Sequence, residues 1–238
     1  MRYSELVEGI NDKGIFKAIF FAGLPGAGKS TVAQRVTDGT VSPRIVNTDR
    51  SYEYLLKKHG EKATEAAWAL LGPAAKQINS KLLTQYLNGM LPLFVDGTSA
   101  NPGAAMRRTG IAESLGYDTA MVWVNVDLDV AVERIATRER KVNTEFVKRV
   151  YDTIESNKGM YQSRFGSNFI EVDNNADNYS AMEGQVYNVV NKFFTSPISN
   201  PIGQRIEAQM QEQGLKTLAP EIYSIDYLEK IVGVWYMK

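Results

Sequence analysis

The chain has 238 residues, of which 44% are hydrophobic and 23% are charged, and these proportions exclude disordered, collagen-like and coiled-coil classes. Its 27 basic and 27 acidic side chains give a formal net charge of zero, so a nucleic-acid or membrane contact would need a local patch. The absence of cysteine excludes disulfides, zinc-thiolate sites and cysteine nucleophiles.

Short apolar runs alternate along the chain with helical patterns. The runs predict strands at 15–22, 44–47, 93–96, 120–124 and 169–172. Amphipathic stretches between and after them predict helices at 29–36, 62–87, 103–115, 129–138, 144–157 and 178–194. We expect Gly72-Pro73 to break the second of these helices in two. The alternation predicts an α/β fold with a five-stranded, mainly parallel sheet and helices on both faces.

The composition changes near the end of the chain. Residues 195–201, rich in Ser and Pro, predict a linker between a domain at 1–195 and a C-terminal extension at 196–238, which holds a further helix and an aromatic end. The acidic N-terminus lacks a signal-peptide core, and no stretch is apolar enough to span a membrane. We therefore expect no membrane partner and a cytoplasmic location, which means the host cytoplasm for a viral protein. The oligomeric state stays open.

Residues 23–30 match the phosphate-binding pattern G-x-x-x-x-G-K-[ST], with a predicted strand before them and a predicted helix after them. Glycine backbone can approach a polyphosphate closely, so we expect a nucleoside triphosphate, with Lys29 on the β- and γ-phosphates and Ser30 on Mg²⁺. A fortuitous glycine-rich turn is the alternative, whereas the spacing for dinucleotide binding is absent. The predicted nucleotide-binding residues are Gly23, Leu24, Pro25, Gly26, Ala27, Gly28, Lys29, Ser30 and Thr31.

Two acids follow predicted strands, at the sheet edge where ligands bind. Asp49 comes after the second strand and is a candidate general base for an acceptor hydroxyl; the alternative is a helix N-cap for the stretch from Tyr52 onward. Asp96 ends the third strand and is a candidate Mg²⁺ ligand; the alternative is an Asp-Gly turn.

Arg134 and Arg138 are four residues apart and share one face of a predicted helix. Both are candidates to stabilise the charge of a transferring phosphoryl group. The alternative is a solvated basic helix end that the helix dipole favours.

Taken together, these segments resemble the 5′-hydroxyl polynucleotide kinases and their wider P-loop kinase group. That group includes zeta-toxin-like sugar-nucleotide kinases and phage kinases that phosphorylate hydroxymethylated pyrimidines in DNA. The resemblance rests on the loop and on Asn47-Thr48-Asp49, Asp96 with Asn101-Pro102, and the segments 132–138, 142–143 and 147–151. It implies ATP and Mg²⁺ as cofactors, Lys29 and Ser30 on phosphates and metal, Asp49 as base, Asp96 near metal or acceptor, and Arg134 with Arg138 in a lid at 134–143.

The acceptor is the least defined part of this resemblance. Polynucleotide kinases typically carry an arginine three residues after the base, where this chain has Tyr52; Arg50, Arg107 and Arg108 are the nearest replacements. Tyr52 and Tyr54 are candidates to stack on an extruded base. The main expectation is transfer to a hydroxyl of a nucleic acid, with DNA favoured, at a 5′ end or on a modified base. The alternatives are a small-molecule or sugar-nucleotide kinase, and a nucleotide-binding switch that only hydrolyses slowly.

Overall fold

A computed structural model describes residues 13–35, 41–137, 144–175 and 179–212. The strands in these ranges are β1 (Lys17–Ala22), β2 (Arg44–Asn47), β3 (Leu93–Asp96), β4 (Asp118–Asn125) and β5 (Phe169–Asp173). The helices in the same ranges are α1 (Lys29–Arg35), α2 (Thr48–His59), α3 (Glu65–Asn88), α4 (Pro102–Ser114), α5 (Leu128–Ala136), α6 (Thr144–Phe165), α7 (Tyr179–Thr195) and α8 (Pro201–Glu212).

The strands form a single sheet in the order β2-β3-β1-β4-β5, and every pair is parallel. The central strand β1 is buried along its whole length. Burial of this kind is typical of a parallel sheet that helices cover on both faces. The predicted α/β fold and its five strands are confirmed, and the sheet is wholly rather than mainly parallel.

The parallel register brings the carboxyl ends of the strands to one edge. Asn47 at the end of β2 is paired with Asp96 at the end of β3. The phosphate-loop sequence 23–30 leaves β1 at the same edge. Side chains from separate parts of the sequence therefore meet beside this loop.

The predicted break at Gly72-Pro73 is wrong, because α3 runs continuously through it. Gly72 allows the Trp68 ring to lie against the helix backbone, where a Cβ would crowd the ring. The buried face of α3 also packs on α2, and this packing offsets the cost of an internal proline. The two helices share an apolar cluster of their own, formed by Tyr52, Leu55, Leu56, Ala67, Leu71, Ala74, Ala75, Ile78 and Leu82.

Pro73 is exposed, so its ring contributes little packing. We expect Pro73→Ala to raise the free energy of unfolding by about 1–3 kcal/mol, because the helix regains an amide hydrogen bond and loses a steric clash. Urea denaturation measures the change. The matched control is the exposed Gln77→Ala on the same helix, expected to change stability by less than about 0.5 kcal/mol. A Pro73→Ala protein no more stable than wild type would contradict the expectation.

A buried ion pair joins the amino ends of β1 and β4, at the edge opposite the loop. The Lys17 Nζ lies 2.6 Å from the Asp118 Oδ2, and the two side chains are 2% and 7% exposed. The ammonium also donates to the Ser196 hydroxyl and the Pro197 carbonyl. Burial alone would raise the pKa of the Asp118 carboxyl, but hydrogen bonds from Lys17 and Ser199 outweigh burial and hold the pKa below its usual value.

The segment predicted as a linker, 195–201, is anchored on this ion pair. The Ser199 amide donates to one Asp118 oxygen, and the Ser199 hydroxyl and the Asn200 amide donate to the other. Further along, Met210 of α8 is buried in the main apolar core. Residues 196–212 therefore pack on the same body as the sheet.

The predicted division of the chain after residue 195 stays a prediction. The extension predicted at 196–238 is described as far as residue 212, and its aromatic end lies outside the described residues. In the part of the chain that the structure describes, no helix is long and apolar enough to cross a bilayer. The cytoplasmic location also stays a prediction.

We expect Asp118→Asn to lower the free energy of unfolding at pH 7 by about 3–5 kcal/mol, because Lys17 would become a buried charge without its counterion. The folded-state pKa of Asp118 lies below its unfolded value of about 4. Its contribution is therefore complete above that value and is lost as the pH falls through the folded-state pKa.

Denaturation of wild type and variant at pH 7 and at pH 2.5 tests this expectation, with a smaller difference at the lower pH. The control is Glu145→Gln, which breaks an exposed 3.6 Å pair with Lys148. It is expected to change stability by less than about 0.5 kcal/mol. Equal effects of the two substitutions would contradict a stabilising role for the buried pair.

Candidate active site

The loop at 23–30 follows β1 directly and depends on its glycines. Gly23, Gly26 and Gly28 have φ angles of 140°, 89° and 85°, a region that L side chains rarely adopt. A Cβ on Gly23 would collide with the Val124 carbonyl, and one on Gly26 would collide with the Ala131 carbonyl. The loop is therefore a cradle of bare backbone, which fits the close approach of a polyphosphate.

Lys29 curls back over this cradle. Its Nζ donates to the carbonyl oxygens of Gly23 at 2.9 Å and Leu24 at 2.8 Å. These two bonds hold the ammonium at the loop. A phosphate oxygen is a stronger acceptor than a neutral carbonyl, so a phosphate bound in the loop would be its preferred partner. The remaining predicted residues form the rest of the loop and the first turn of α1, namely Pro25, Ala27, Ser30 and Thr31.

Asp96 is the point where three elements meet. The Ser30 hydroxyl of α1 donates to the Asp96 Oδ2 at 2.8 Å, and the side-chain Nδ2 of Asn47 in β2 donates to the same oxygen at 2.6 Å. A hydroxyl and a carboxylate are the hard oxygen ligands that Mg²⁺ prefers. The structure brings the two predicted metal ligands, Ser30 and Asp96, together, while their binding of Mg²⁺ stays a prediction. Asn47 is an additional polar residue at this point, and the sequence did not indicate its contact with Asp96.

The composition of this site constrains how a metal would bind. Among the described residues, no group of three or more His, Cys, Asp or Glu side chains lies together. Ser30 and Asp96 would therefore supply only part of the ligand set of a bound Mg²⁺. Phosphate oxygens and water complete such a set in proteins that bind Mg²⁺ together with a nucleotide. The donors present fit that arrangement.

Asp49 lies in the first turn of α2, immediately beyond the carboxyl end of β2. The helix begins at Thr48, and its cap is Asn47, whose Oδ1 accepts from the amides of Asp49 at 2.6 Å and Arg50 at 3.2 Å. The alternative in which Asp49 caps a helix starting near Tyr52 is therefore wrong. Asp49 and Arg50 are exposed at the edge that carries the loop.

Tyr52, predicted to contact a substrate, points away from this edge. It is 1% exposed, and its ring packs edge-to-face against Trp68 with the centroids 4.8 Å apart. A side chain held in this way is part of the α2–α3 cluster, so base stacking by Tyr52 does not fit the structure. Tyr54, the second stacking candidate, is half-buried and packs on the same cluster.

Arg107 and Arg108 lie in the second turn of the helix that follows β3. Both are exposed on α4, which starts at the carboxyl edge with Pro102 and runs towards the amino edge. At 1.5 Å per residue, the two arginines lie about 8 Å along the helix from that edge. Their role in binding an acceptor stays a prediction.

Helix α5 packs directly on the loop through Ala131 and Ile135, whose atoms lie against Gly26. Arg134 of the same helix is half-buried and donates from Nη1 to the Asn174 carbonyl at 2.8 Å. Arg134 is therefore on the helix that packs against the loop, and its place in a lid stays a prediction. Arg138 and most of the predicted lid lie outside the described residues.

The loop between β3 and α4 is braced from two sides. Ser99 has a φ of 53°, and its hydroxyl donates to the Phe21 carbonyl of β1. The Tyr161 hydroxyl of α6 donates to the Ser99 carbonyl at 2.6 Å, and burial raises the pKa of Tyr161 to about 12. The hydroxyl therefore stays a donor at every physiological pH. No local sequence pattern indicates these two bonds, because their partners are far apart along the chain.

The chain matches the AAA_33 family, described as an AAA domain, over residues 19–157, which is more than half of its length. The chain belongs to this family. The matched part of the AAA domain includes the phosphate loop, Asp49, Asp96 and α5. No curated protein matches the chain significantly.

Three solved structures are similar to this AAA domain protein. A "putative kinase" from Chloroflexus aurantiacus has 16% identity and a TM-score of 0.56, over 74% of this chain and 97% of the other. A gluconokinase from Sinorhizobium meliloti has 14% identity, a TM-score of 0.49 and coverages of 84% and 98%. A shikimate kinase from Acinetobacter baumannii, in complex with shikimate, has 12% identity, a TM-score of 0.49 and coverages of 73% and 92%. The family and the first of these similarities show a P-loop kinase fold, whereas the narrower resemblance to polynucleotide kinases stays a prediction.

We expect Asp96→Asn to weaken nucleotide binding in the presence of Mg²⁺ by about tenfold or more, because a neutral amide is a poor ligand for a hard cation. Binding without Mg²⁺ should change much less. Calorimetric titration with ADP, with and without Mg²⁺, measures both quantities. The exposed Asp152→Asn on α6 is the matched control and should bind as wild type does. An equal loss with and without Mg²⁺ would contradict a metal-binding role for Asp96.

Proposed function

We propose that this protein is an ATP-dependent kinase that phosphorylates a hydroxyl group of a small molecule. The observation that carries the proposal is the convergence of the Ser30 hydroxyl and the Asn47 amide on the Asp96 carboxylate, at the sheet edge that carries the phosphate loop. Asp49 lies immediately beyond the end of β2, the strand next to β3, and in this proposal its carboxylate faces the acceptor hydroxyl. The family and the P-loop kinase fold support the same reaction class.

In this proposal the chain's own residues bind and orient the nucleotide. The loop amides and Lys29 would hold the β- and γ-phosphates, and Ser30 and Asp96 would hold Mg²⁺. When bound, MgATP supplies a phosphoryl group activated for transfer, with its charge partly neutralised by the cation. Arg134 adds positive charge beside the loop, where negative charge spreads in the transition state.

Asp49 is the proposed general base. Its carboxylate accepts the proton of the acceptor hydroxyl as the acceptor oxygen bonds to the γ-phosphorus. The bond between that phosphorus and the β,γ-bridging oxygen breaks in the same displacement, so ADP carries away the electron pair. The proton on Asp49 then passes to solvent, to which this helix turn is exposed.

A small-molecule acceptor is better supported than the nucleic acid that the sequence favoured. Tyr52 is packed against Trp68 and cannot stack on a base in this conformation. The net charge of the chain is zero, so no overall positive field attracts a polyanion. A nucleic-acid acceptor calls for a basic track that leads to the reacting hydroxyl. Arg50 is the basic residue nearest to Asp49 and suits an acceptor that carries one anionic group.

The experiment that tests the function is transfer of labelled γ-phosphate from ATP, with Mg²⁺, to a panel of acceptors. The panel contains sugars, hydroxy acids, nucleosides and sugar nucleotides, together with 5′-hydroxyl DNA and RNA and DNA with hydroxymethylated pyrimidines. Label on a small molecule supports the proposal and names the acceptor. Label only on a polynucleotide would replace the acceptor class, and hydrolysis without transfer would favour a nucleotide-binding switch.

We expect Asp49→Asn to lower kcat for transfer by about 10²–10⁴-fold, the usual contribution of a general base. Nucleotide affinity should stay within about twofold of wild type, because Asp49 does not belong to the phosphate loop. Steady-state kinetics and ADP titration separate the two effects. Glu53→Gln, an exposed carboxylate one turn further along α2, is the matched control and should retain activity. Retention of full transfer by Asp49→Asn would rule out this base.

A further inference from the structure

Asn174 connects three parts of the site at the carboxyl end of β5. Its side-chain Nδ2 donates to the Ala27 carbonyl inside the phosphate loop at 2.7 Å. Its backbone amide donates to the backbone carbonyl of Asn125, at the end of β4, at 2.9 Å. Its own carbonyl accepts from Arg134 of α5 at 2.8 Å. One residue thus contacts the loop, the sheet and the helix that packs on the loop.

The fit between Asn174 and the loop is tight. Asn174 is 1% exposed. A Cβ on Gly28 would lie against the Asn174 Nδ2, closer than atoms can pack. The glycine before Lys29 is therefore required here both for its φ of 85° and for the space that the asparagine amide fills.

The other end of the same side chain is not satisfied. The Asn174 Oδ1 is buried and accepts no hydrogen bond from the described residues. A buried acceptor without a donor destabilises a folded protein. The buried Oδ1 of Asn174 therefore lowers the stability of the fold. The favourable interaction of the same side chain is the bond from Nδ2 to the Ala27 carbonyl.

We propose that Asn174 is a positioning residue that holds the phosphate loop in its nucleotide-binding conformation. The Nδ2 bond fixes the Ala27 carbonyl away from the cradle, so that the neighbouring amides of the loop face the phosphates. The proposal rests on the proposed function, because it assumes that the loop binds a nucleotide. It assigns Asn174 no contact with the reacting atoms.

Two variants test this role. Asn174→Ala removes the donor together with the unsatisfied oxygen. Asn174→Asp keeps the size of the side chain but replaces the donor with an acceptor. The backbone bonds to Asn125 and Arg134 remain possible in both variants. The matched control is Asn168→Ala, which removes a single amide bond to the Thr119 carbonyl at the other end of β5.

The first measurement is amide hydrogen exchange across residues 23–30 in the absence of nucleotide. We expect faster exchange in both variants, by about tenfold for the loss of one buried hydrogen bond, and unchanged exchange in the control. The second measurement is ADP affinity by titration calorimetry, which should fall by about tenfold in Asn174→Ala. The third is thermal unfolding, where Asn174→Ala should stay close to wild type, because removal of the orphaned oxygen offsets the loss of the bond to the Ala27 carbonyl.

A loss of affinity with retained thermal stability supports positioning, since a merely structural residue would lower both together. Wild-type exchange and wild-type ADP affinity in both variants would overturn the proposal and leave the proposed function intact. Failure of the wild-type protein to bind any nucleotide would overturn the proposed function. The exchange rates would then still decide whether Asn174 orders the loop, because they are measured without nucleotide.

Discussion

The site depends on one constraint, the parallel register of the sheet. In a parallel sheet the carboxyl ends of all strands share an edge, and here that edge brings together the loop after β1, Asn47 at the end of β2 and Asp96 at the end of β3. Residues that are far apart in the chain therefore need no long loops to meet. Helices on both faces keep the inner strands β1, β3 and β4 almost wholly buried.

The opposite edge of the sheet carries a different kind of interaction. Lys17 and Asp118 pair at the amino ends of β1 and β4, where they anchor residues 196–200, the segment that leads to α8. A buried ion pair depends on full hydrogen bonding, and the hydroxyl and backbone groups of 196–200 provide it. The buried ion pair and the candidate active site therefore lie at opposite ends of the strands, one strand length apart.

Much of this arrangement could be predicted from the sequence. Strands and the phosphate loop depend on local pattern, so their bounds and the roles proposed for Lys29, Ser30 and Asp96 follow from neighbouring residues. The continuity of α3 through Pro73 could not be predicted, because packing between α2 and α3 decides it. The burial of Tyr52 and the contacts of Asn174 and Tyr161 are also tertiary, since each joins segments that no local pattern links.

The separate apolar cluster of α2 and α3 bears on how this protein would fail under stress. Asp49 stands on α2, whose buried face packs on α3 rather than on the main core. A unit with its own cluster can open while the rest of the fold stays closed. The end of α3 is held in the main core through Leu87. Partial unfolding limited to α2 and the first half of α3 would displace the Asp49 carboxylate and leave the phosphate loop intact. On heating, phosphoryl transfer would then be lost at a lower temperature than nucleotide binding.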